Sequence, residues 1–338
     1  HFVGSAKNLE MIWVEPGTFT MGSPTTEAGR QTNETEHNVT LTQGFYLGQY
    51  EVTQAQYEAV MTGNTDGLNA NPSNWPNNPD RPVEKVSWYD IQKFLTRLNA
   101  QEAGNIPAGW AYVLPTEAQW EYACRAGTTT AYSWGVDINS SDANYNSNIG
   151  QTADVGQYSA NPWGFFDMHG NVFEWVADAF ASYSTGAQTD PFNAGTTGSN
   201  RVYRGGSWSN SGSYLRSAYR SNFTPSYRAS GIGFRVGFQQ VNQAPTDLNS
   251  TAALSISENQ PVGTIVGEFN ATDLDNSSSI TYHFVNGDNN NSLFTLDSNG
   301  TIKTATTFDY ETDASTYTIM VQAKDEYNAT IEGNFTVT

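Results

Sequence analysis

The sequence of 338 residues has one cysteine, Cys124, which excludes an intramolecular disulfide and any metal site built from several thiolates. Cys124 lies in EYACRAG, inside a predicted helix, where a small buried thiol is the expected role. The four histidines are scattered and form no HExxH pair, and neither GxSxG, GxGxxG nor GxxxxGK[ST] occurs. The usual signatures of zinc peptidases, serine hydrolases and nucleotide-binding enzymes are therefore missing. No apolar run approaches the roughly eighteen residues of a membrane span, and the opening HFVGSAKNLE has no apolar core of a signal peptide. Bases are scarce: 15 Lys and Arg against 34 acids give a formal charge of −19. Such a chain repels phosphate backbones and anionic headgroups and favours cations, so neither a nucleic-acid partner nor membrane insertion is expected.

What is present divides into two styles. Up to about Phe238 the chain is rich in tryptophan, tyrosine and glycine, with three short helical patterns among loops. From Ala244 onward there is no tryptophan, and apolar residues alternate, as Ile280, Tyr282, Phe284 and again as Tyr317, Ile319, Val321, Ala323. Alternation at period two predicts strands of a β-sandwich. This second part carries thirteen acids and two lysines. The polar stretch around Gln239 to Pro245 reads as a linker, giving domains at residues 1–238 and 246–338 joined by 239–245.

In the first part, SWYDIQKFLTRLN places Ser87 as a helix cap with Asp90 three residues on, then Ile91, Phe94, Leu95 and Leu98 at helical spacing. PTEAQWEYACRAG repeats the device with Thr116 and Gln119 and offers Gly127 as terminator. VTQAQYEAVMTG predicts a third, shorter helix capped by Thr53.

Eight ordered blocks, MIWVEPGTFTMGSP, GFYLGQYEVTQAQY, RPVEKVSWYD, LPTEAQWEYACRAGT, GFFDMHGNVFEWVAD, RVYRGGSW, LRSAYRS and GFRVGF, resemble the formylglycine-generating enzyme, or sulfatase-modifying factor, family over roughly residues 8 to 238. The resemblance implies an α+β variant of the C-type lectin fold with little regular secondary structure. Family enzymes oxidise a sulfatase cysteine with two copper-binding cysteines placed just after a GGS motif. Here the first cysteine falls at Asn210 and the second in a stretch shortened by about three residues, so neither thiol exists. Copper(I) calls for soft thiolates, so copper and formylglycine-generating activity are not expected. Tyr203, Trp208, Asn210, Tyr214, Tyr219, Phe223 and Tyr227 lie in the segment that lines the active-site cleft of the relatives. Rings with Ser and Asn between them make versatile contact surfaces. Their composition is similar to the variable segments of lectin-fold proteins diversified by retroelements.

The resemblance also implies calcium. Asp167 and Glu174 would supply carboxylates, and Gly170 and Val172 carbonyls, to one site; Asn144 and the Tyr145 carbonyl would serve a second, whose family carboxylate is lost. The tail resembles a bacterial cadherin-like repeat through SENQPVG, ATDLDN, TTFDYET and QAKDEYN. That resemblance places Glu258, Asp309 and Glu311 toward a following repeat and Asp273, Asp275 and Asp325 toward the preceding domain, as calcium ligands, with the repeat continuing beyond the chain end. The expectation is a secreted or surface-displayed bacterial recognition or adhesion protein, an inactive enzyme-like head binding a glycan or extracellular protein, on a calcium-stiffened all-β cadherin-like stalk. The alternatives are a structural subunit of an extracellular filament or surface assembly, whose head binds a copy of itself, and an enzyme of altered, cysteine-independent chemistry in the same cleft; self-association through neighbouring repeats is a further partner expectation.

Overall fold

Among the described residues, three capping boxes start the three α-helices. Thr53 accepts from the Gln56 N–H and the Gln56 side chain accepts from the Thr53 N–H at α1 (Gln54–Met61). Ser87 with Asp90 opens α2 (Trp88–Glu102), and Thr116 with Gln119 opens α3 (Glu117–Arg125), in the same way. Each box satisfies two amide donors that the first helical turn leaves without partners. The end of α3 differs from expectation by one residue: Ala126, not Gly127, is the first left-handed position (φ 47°), and its N–H returns to the Tyr122 carbonyl. The residue is buried, and packing offsets the roughly 1–2 kcal/mol that a left-handed non-glycine residue costs.

The structure, a computed structural model, describes residues 2–3, 9–273, 279–287, 289–326 and 329–338, and divides into compact units at 1–239 and 240–338. The described residues of the first unit form three small sheets besides its helices. The one that positions the site comprises β1 (Phe173–Ala179), β2 (Arg201–Arg204), β3 (Arg220–Phe223) and β4 (Ile232–Gly233) in the order β3-β2-β1-β4, with β1 and β4 parallel. Alternation along β1 sends Phe173 and Trp175 to one core, built with α1, α2 and Phe234, and Val176 to a second core around Trp120 of α3. The sheet therefore separates two cores at β1 and emerges at its edge strand β3.

The second unit is all-β. Strands Thr246–Ser250, Ile265–Thr272, Thr301–Thr304 and Phe294–Leu296 form one sheet, and Thr281–Phe284, Tyr317–Lys324 and Thr330–Val337 the other. Tyr282, Ile319, Val321 and Ala323 bury together, as the alternating pattern predicted. The core of this unit is smaller and sets Phe269, Tyr282, Phe294, Phe308 and Tyr317 among aliphatic residues such as Leu254, Ile302 and Ile319.

Candidate functional site

Gly205 and Gly206 both take left-handed conformations (φ 93° and 76°) immediately after β2. A Cβ at Gly206 would stand 2.4 Å from Leu215 Cδ1, so the tight turn that forms the GGS floor requires glycine there. Beyond it, Ser207 Oγ donates to Asn210 Oδ1 (2.5 Å), the Asn210 carbonyl accepts from the Asn146 N–H (2.8 Å), and the Trp208 carbonyl accepts from the Ser147 N–H (2.7 Å). Trp208 is half-buried, donates Nε1–H to the Ser230 carbonyl (3.0 Å) and meets Trp75 edge-on at 5.1 Å. Asn210 thus closes a loop through its side chain and its carbonyl.

Four arginines from the blocks that carry the family resemblance rivet this floor from below. Arg204 reaches Glu121 and the carbonyls of Ala218 and Tyr219; Arg216 holds Glu34 (2.7 and 2.9 Å) and Glu27; Arg220 holds Glu117 (2.8 and 2.5 Å); Arg235 holds Glu174 (2.7 and 2.7 Å). All four guanidiniums and their partners Glu34, Glu117, Glu121 and Glu174 are buried. Sequence reasoning missed them, although arginine in RVYR, LRSAYR and GFRVGF was the available signal.

The seven expected cleft residues are not equivalent. Tyr203 packs on Phe173 (4.7 Å between ring centres) and Trp175 (5.3 Å) and is half-buried against the first core, because the β2 register sets it beside Trp175. Tyr219 is likewise half-buried, with Tyr214 leaning on it at 4.8 Å. Phe223 and Tyr227 stack at 3.9 Å and both face solvent. Tyr203 and Tyr219 therefore serve packing as much as surface.

The lone thiol is not among these seven. Cys124 is fully buried in the second core, 3.6 Å from His169 Nε2, and burial pushes its thiol up to about 12. His169 donates Nδ1–H to the Leu215 carbonyl (2.7 Å) and accepts from the Ser133 N–H (3.2 Å); burial brings it down to about 4. A protonated thiol beside a neutral imidazole is not an activated nucleophile.

Asp167 is the acidic residue of the first expected cation site. Its Oδ2 accepts from the Gly156 N–H (2.7 Å), and burial raises its pKa to about 6. Glu174 gives both oxygens to Arg235 and accepts from Trp120 Nε1–H (2.7 Å), so its carboxylate is committed to a buried ion pair before any cation is considered. A third acid joins them that sequence reading did not find: Glu51, fully buried, accepts from the Val172 N–H (3.0 Å) and the Asn171 side chain (2.7 Å). Burial first, then the charges of Asp167 and Glu174, hold the Glu51 carboxyl well above its ordinary range. Three acids thus share one guanidinium, all with hard oxygens of the kind calcium takes. They do not close to mutual ligand distance: among the described residues, the acidic trio whose oxygens all lie within 4.8 Å of one another is Glu258, Asp309 and Glu311 in the second unit.

At the second expected site Asn144 is buried, donates to the Gln151 carbonyl (2.9 Å) and to Asn171 Oδ1 (3.2 Å), and leaves Oδ1 without a hydrogen-bond donor among the described residues. A buried carbonyl oxygen in that state fits a water or a hard cation. Tyr145 donates its backbone N–H to Asn148 Oδ1 and its hydroxyl to the Ile138 carbonyl. Gly170 and Val172 lie on the segment from Asp167 to Glu174, where Asp167 and Asn171 are left-handed (φ 58° and 60°). In the second unit Tyr310 N–H donates to Glu258 Oε2 (3.3 Å) and Glu311 N–H to Asp309 Oδ1 (3.0 Å). Asp325 is buried and accepts from Asn242 (3.0 Å) and the Ala329 N–H (2.9 Å). Asp273 lies just past strand Ile265–Thr272, and Asp275 is outside the described residues.

Residues 3–239 match the sulfatase-modifying factor enzyme 1-like domain and residues 252–338 the cadherin domain. The formylglycine-generating enzyme of Mus musculus is 29% identical over 67% of this chain and 74% of its own length. Among solved structures, PvdO from Pseudomonas aeruginosa (29% identity, TM-score 0.62) covers 70% of this chain and 97% of its own, and Treponema denticola variable protein 1 (28%, 0.57) covers 69% and 97%. Formylglycine-generating activity finds no support in a chain whose single cysteine is fully buried. The chain belongs to the sulfatase-modifying factor enzyme 1-like domain family, carries that α+β fold over its first 239 residues, and continues into a cadherin-like, all-β domain.

Proposed function

We propose that this protein is a non-catalytic extracellular recognition or adhesion module, secreted or held at a cell surface, whose former active-site face binds a glycan or protein ligand. The observation that carries this reading is the combination of an intact, arginine-riveted GGS floor with no thiol at it, the one cysteine being buried and protonated. A cadherin domain on the same chain supports an extracellular setting. With copper(I) and oxygen supplied, a thiol peptide substrate should yield no aldehyde, by mass spectrometry; turnover would overturn the reading.

Calcium is the cation we assign to this architecture, held by Glu258, Asp309 and Glu311 in the second unit, with Asp167 and the Gly170 and Val172 carbonyls as the hard oxygens of the first. A ligand that binds only the folded state at 100 times its Kd stabilises by about 2.7 kcal/mol. Adding calcium to chelator-treated protein should therefore raise the unfolding midpoint of the second unit by several degrees. The double variant Asp309→Asn, Glu311→Gln should lose that shift while leaving the midpoint of the calcium-free protein unchanged or higher, since it removes mutual repulsion. Differential scanning calorimetry reads both.

A further inference from the structure

Strand alternation decides what the β2–β3 edge shows to solvent. Val202, Arg204 and Arg220 point inward and are buried, so Arg201, Tyr203, Ser221 and Phe223 stand on the opposite face. The register sets Tyr203 opposite Ser221, with their hydroxyls 3.1 Å apart, and Arg201 opposite Phe223. Rings prolong this row in both directions: Tyr227 stacks on Phe223, Tyr214 leans on Tyr219, and the Arg201 guanidinium lies 4.1 Å over Trp88, which meets Tyr89 edge-on. Tyr89, Phe223, Tyr214 and Tyr227 are 45%, 42%, 39% and 36% exposed.

Two features select the occupant. The first is charge: residues 191 to 246 contain no Asp or Glu, in a chain of net charge −19. Of the six arginines in that stretch four are buried in ion pairs, Arg228 is held by Asp90 through two bonds of 2.6 Å, and Arg201 is engaged by the Ala177 carbonyl and the Trp88 ring. The face is close to neutral. The second is chemistry: every exposed large hydrophobic residue in the stretch is aromatic, and beside the rings lie the hydroxyl residues Ser221, Thr224 and Ser226. A protein partner's apolar side chains would find no aliphatic surface here. Pyranose rings present C–H faces to aromatic rings and hydroxyls to Ser, Thr and phenol groups, which this face supplies.

We infer that this face binds a neutral, linear glycan, with sugar rings stacked on the Phe223–Tyr227 and Tyr214–Tyr219 pairs. The inference rests on the recognition reading above and narrows its ligand class. Residues 219 and 223 are four apart along a nearly extended segment, roughly 13 Å, which is room for more than one sugar ring.

The test uses the full chain, immobilised, against oligosaccharides of neutral β-1,4-glucan, mannan and galactan, with heparin and alginate as anionic glycans. One neutral glycan should be retained, with little dependence on salt. Phe223→Ala, Tyr227→Ala and Tyr214→Ala should each weaken it by about tenfold or more, whereas Phe223→Tyr retains it and Tyr310→Ala, exposed in the second unit, changes nothing. Circular dichroism establishes that each variant is folded. The inference is overturned if no neutral glycan is retained, if only the anionic glycans bind and Arg201→Gln abolishes that, or if binding survives all three alanine variants. None of those outcomes touches the recognition reading itself, which fails on formation of an aldehyde.

Discussion

Replacing Arg235 by methionine should destabilise the first unit by about 3–5 kcal/mol, the usual consequence of removing one partner from a buried ion pair. The guanidinium is fully buried and binds both oxygens of Glu174 together with the carbonyls of Gly48, Gln49 and Phe166. Its loss takes a donor from three carbonyls, of which that of Gln49 keeps the Phe166 N–H, and leaves Glu51, Asp167 and Glu174 facing one another with no cation among them. A desolvated, uncompensated charge costs far more than the lost hydrogen bonds alone. The double variant Arg235→Met, Glu174→Leu should recover part of the loss, because it removes an acid along with its partner. Calcium should recover part of it in the single variant by supplying positive charge to the same acids. Urea denaturation with chelator and with calcium separates these outcomes. A fall below about 1 kcal/mol for Arg235→Met would mean that the ion pair does not hold the floor.

The helices were legible because their signals are local. Ser87 with Asp90, Thr116 with Gln119 and the 3.6-residue spacing of Ile91, Phe94, Leu95 and Leu98 lie within one or two turns, and each appears where expected. The alternating strands of the second unit were legible for the same reason. The sheet that carries the site was not. Its strands are four residues or shorter apart from β1, and pairings such as Glu174 with Gly233 join segments about sixty residues apart. Glu51 reaches the Asp167 cluster from 121 residues before Val172 in sequence, so no spacing rule brings it in. In the sequence Tyr203 stands among the cleft residues, and only the register beside Trp175 reveals its share in the core. The family resemblance marks out the blocks, and the structure shows that arginine–carboxylate pairs tie several of them together near the GGS turn.

Stability of the first unit should fall as pH rises from about 5 to 8, and Glu84→Gln should remove part of that fall. Glu84 is fully buried, accepts at Oε1 from the Asn74 and Trp75 N–H groups (2.6 and 3.4 Å), and has no partner for Oε2 among the described residues. Burial raises it to about 7 against the opposing pull of those amides. Asp178 is raised to about 7 by burial and by the charge of Glu117, although it accepts from the Glu117 and Asn193 N–H groups. For each, the folded-state value lies above the ordinary carboxylate value, so the folded protein binds more protons than the unfolded chain between the two. Stability is fully present below the unfolded value near 4 and is lost as pH climbs through about 7. Glu34 acts in the opposite sense. Burial pushes it up, yet the hydrogen bonds and charge of Arg216 outweigh burial and lower it, so its contribution is lost on acidification. The unit should thus be most stable between these limits, on the acid side of neutrality. Glutamine at position 84 keeps the shape and the acceptor oxygen for the Trp75 loop without ionising. Its urea midpoint should match the parent at pH 5 and exceed it at pH 8, and Trp75, edge-on to Trp208, supplies a fluorescence signal from the same loop. Equal midpoints at both pH values would show that Glu84 finds a partner or solvent when it ionises, and would release the GGS floor from any dependence on its charge.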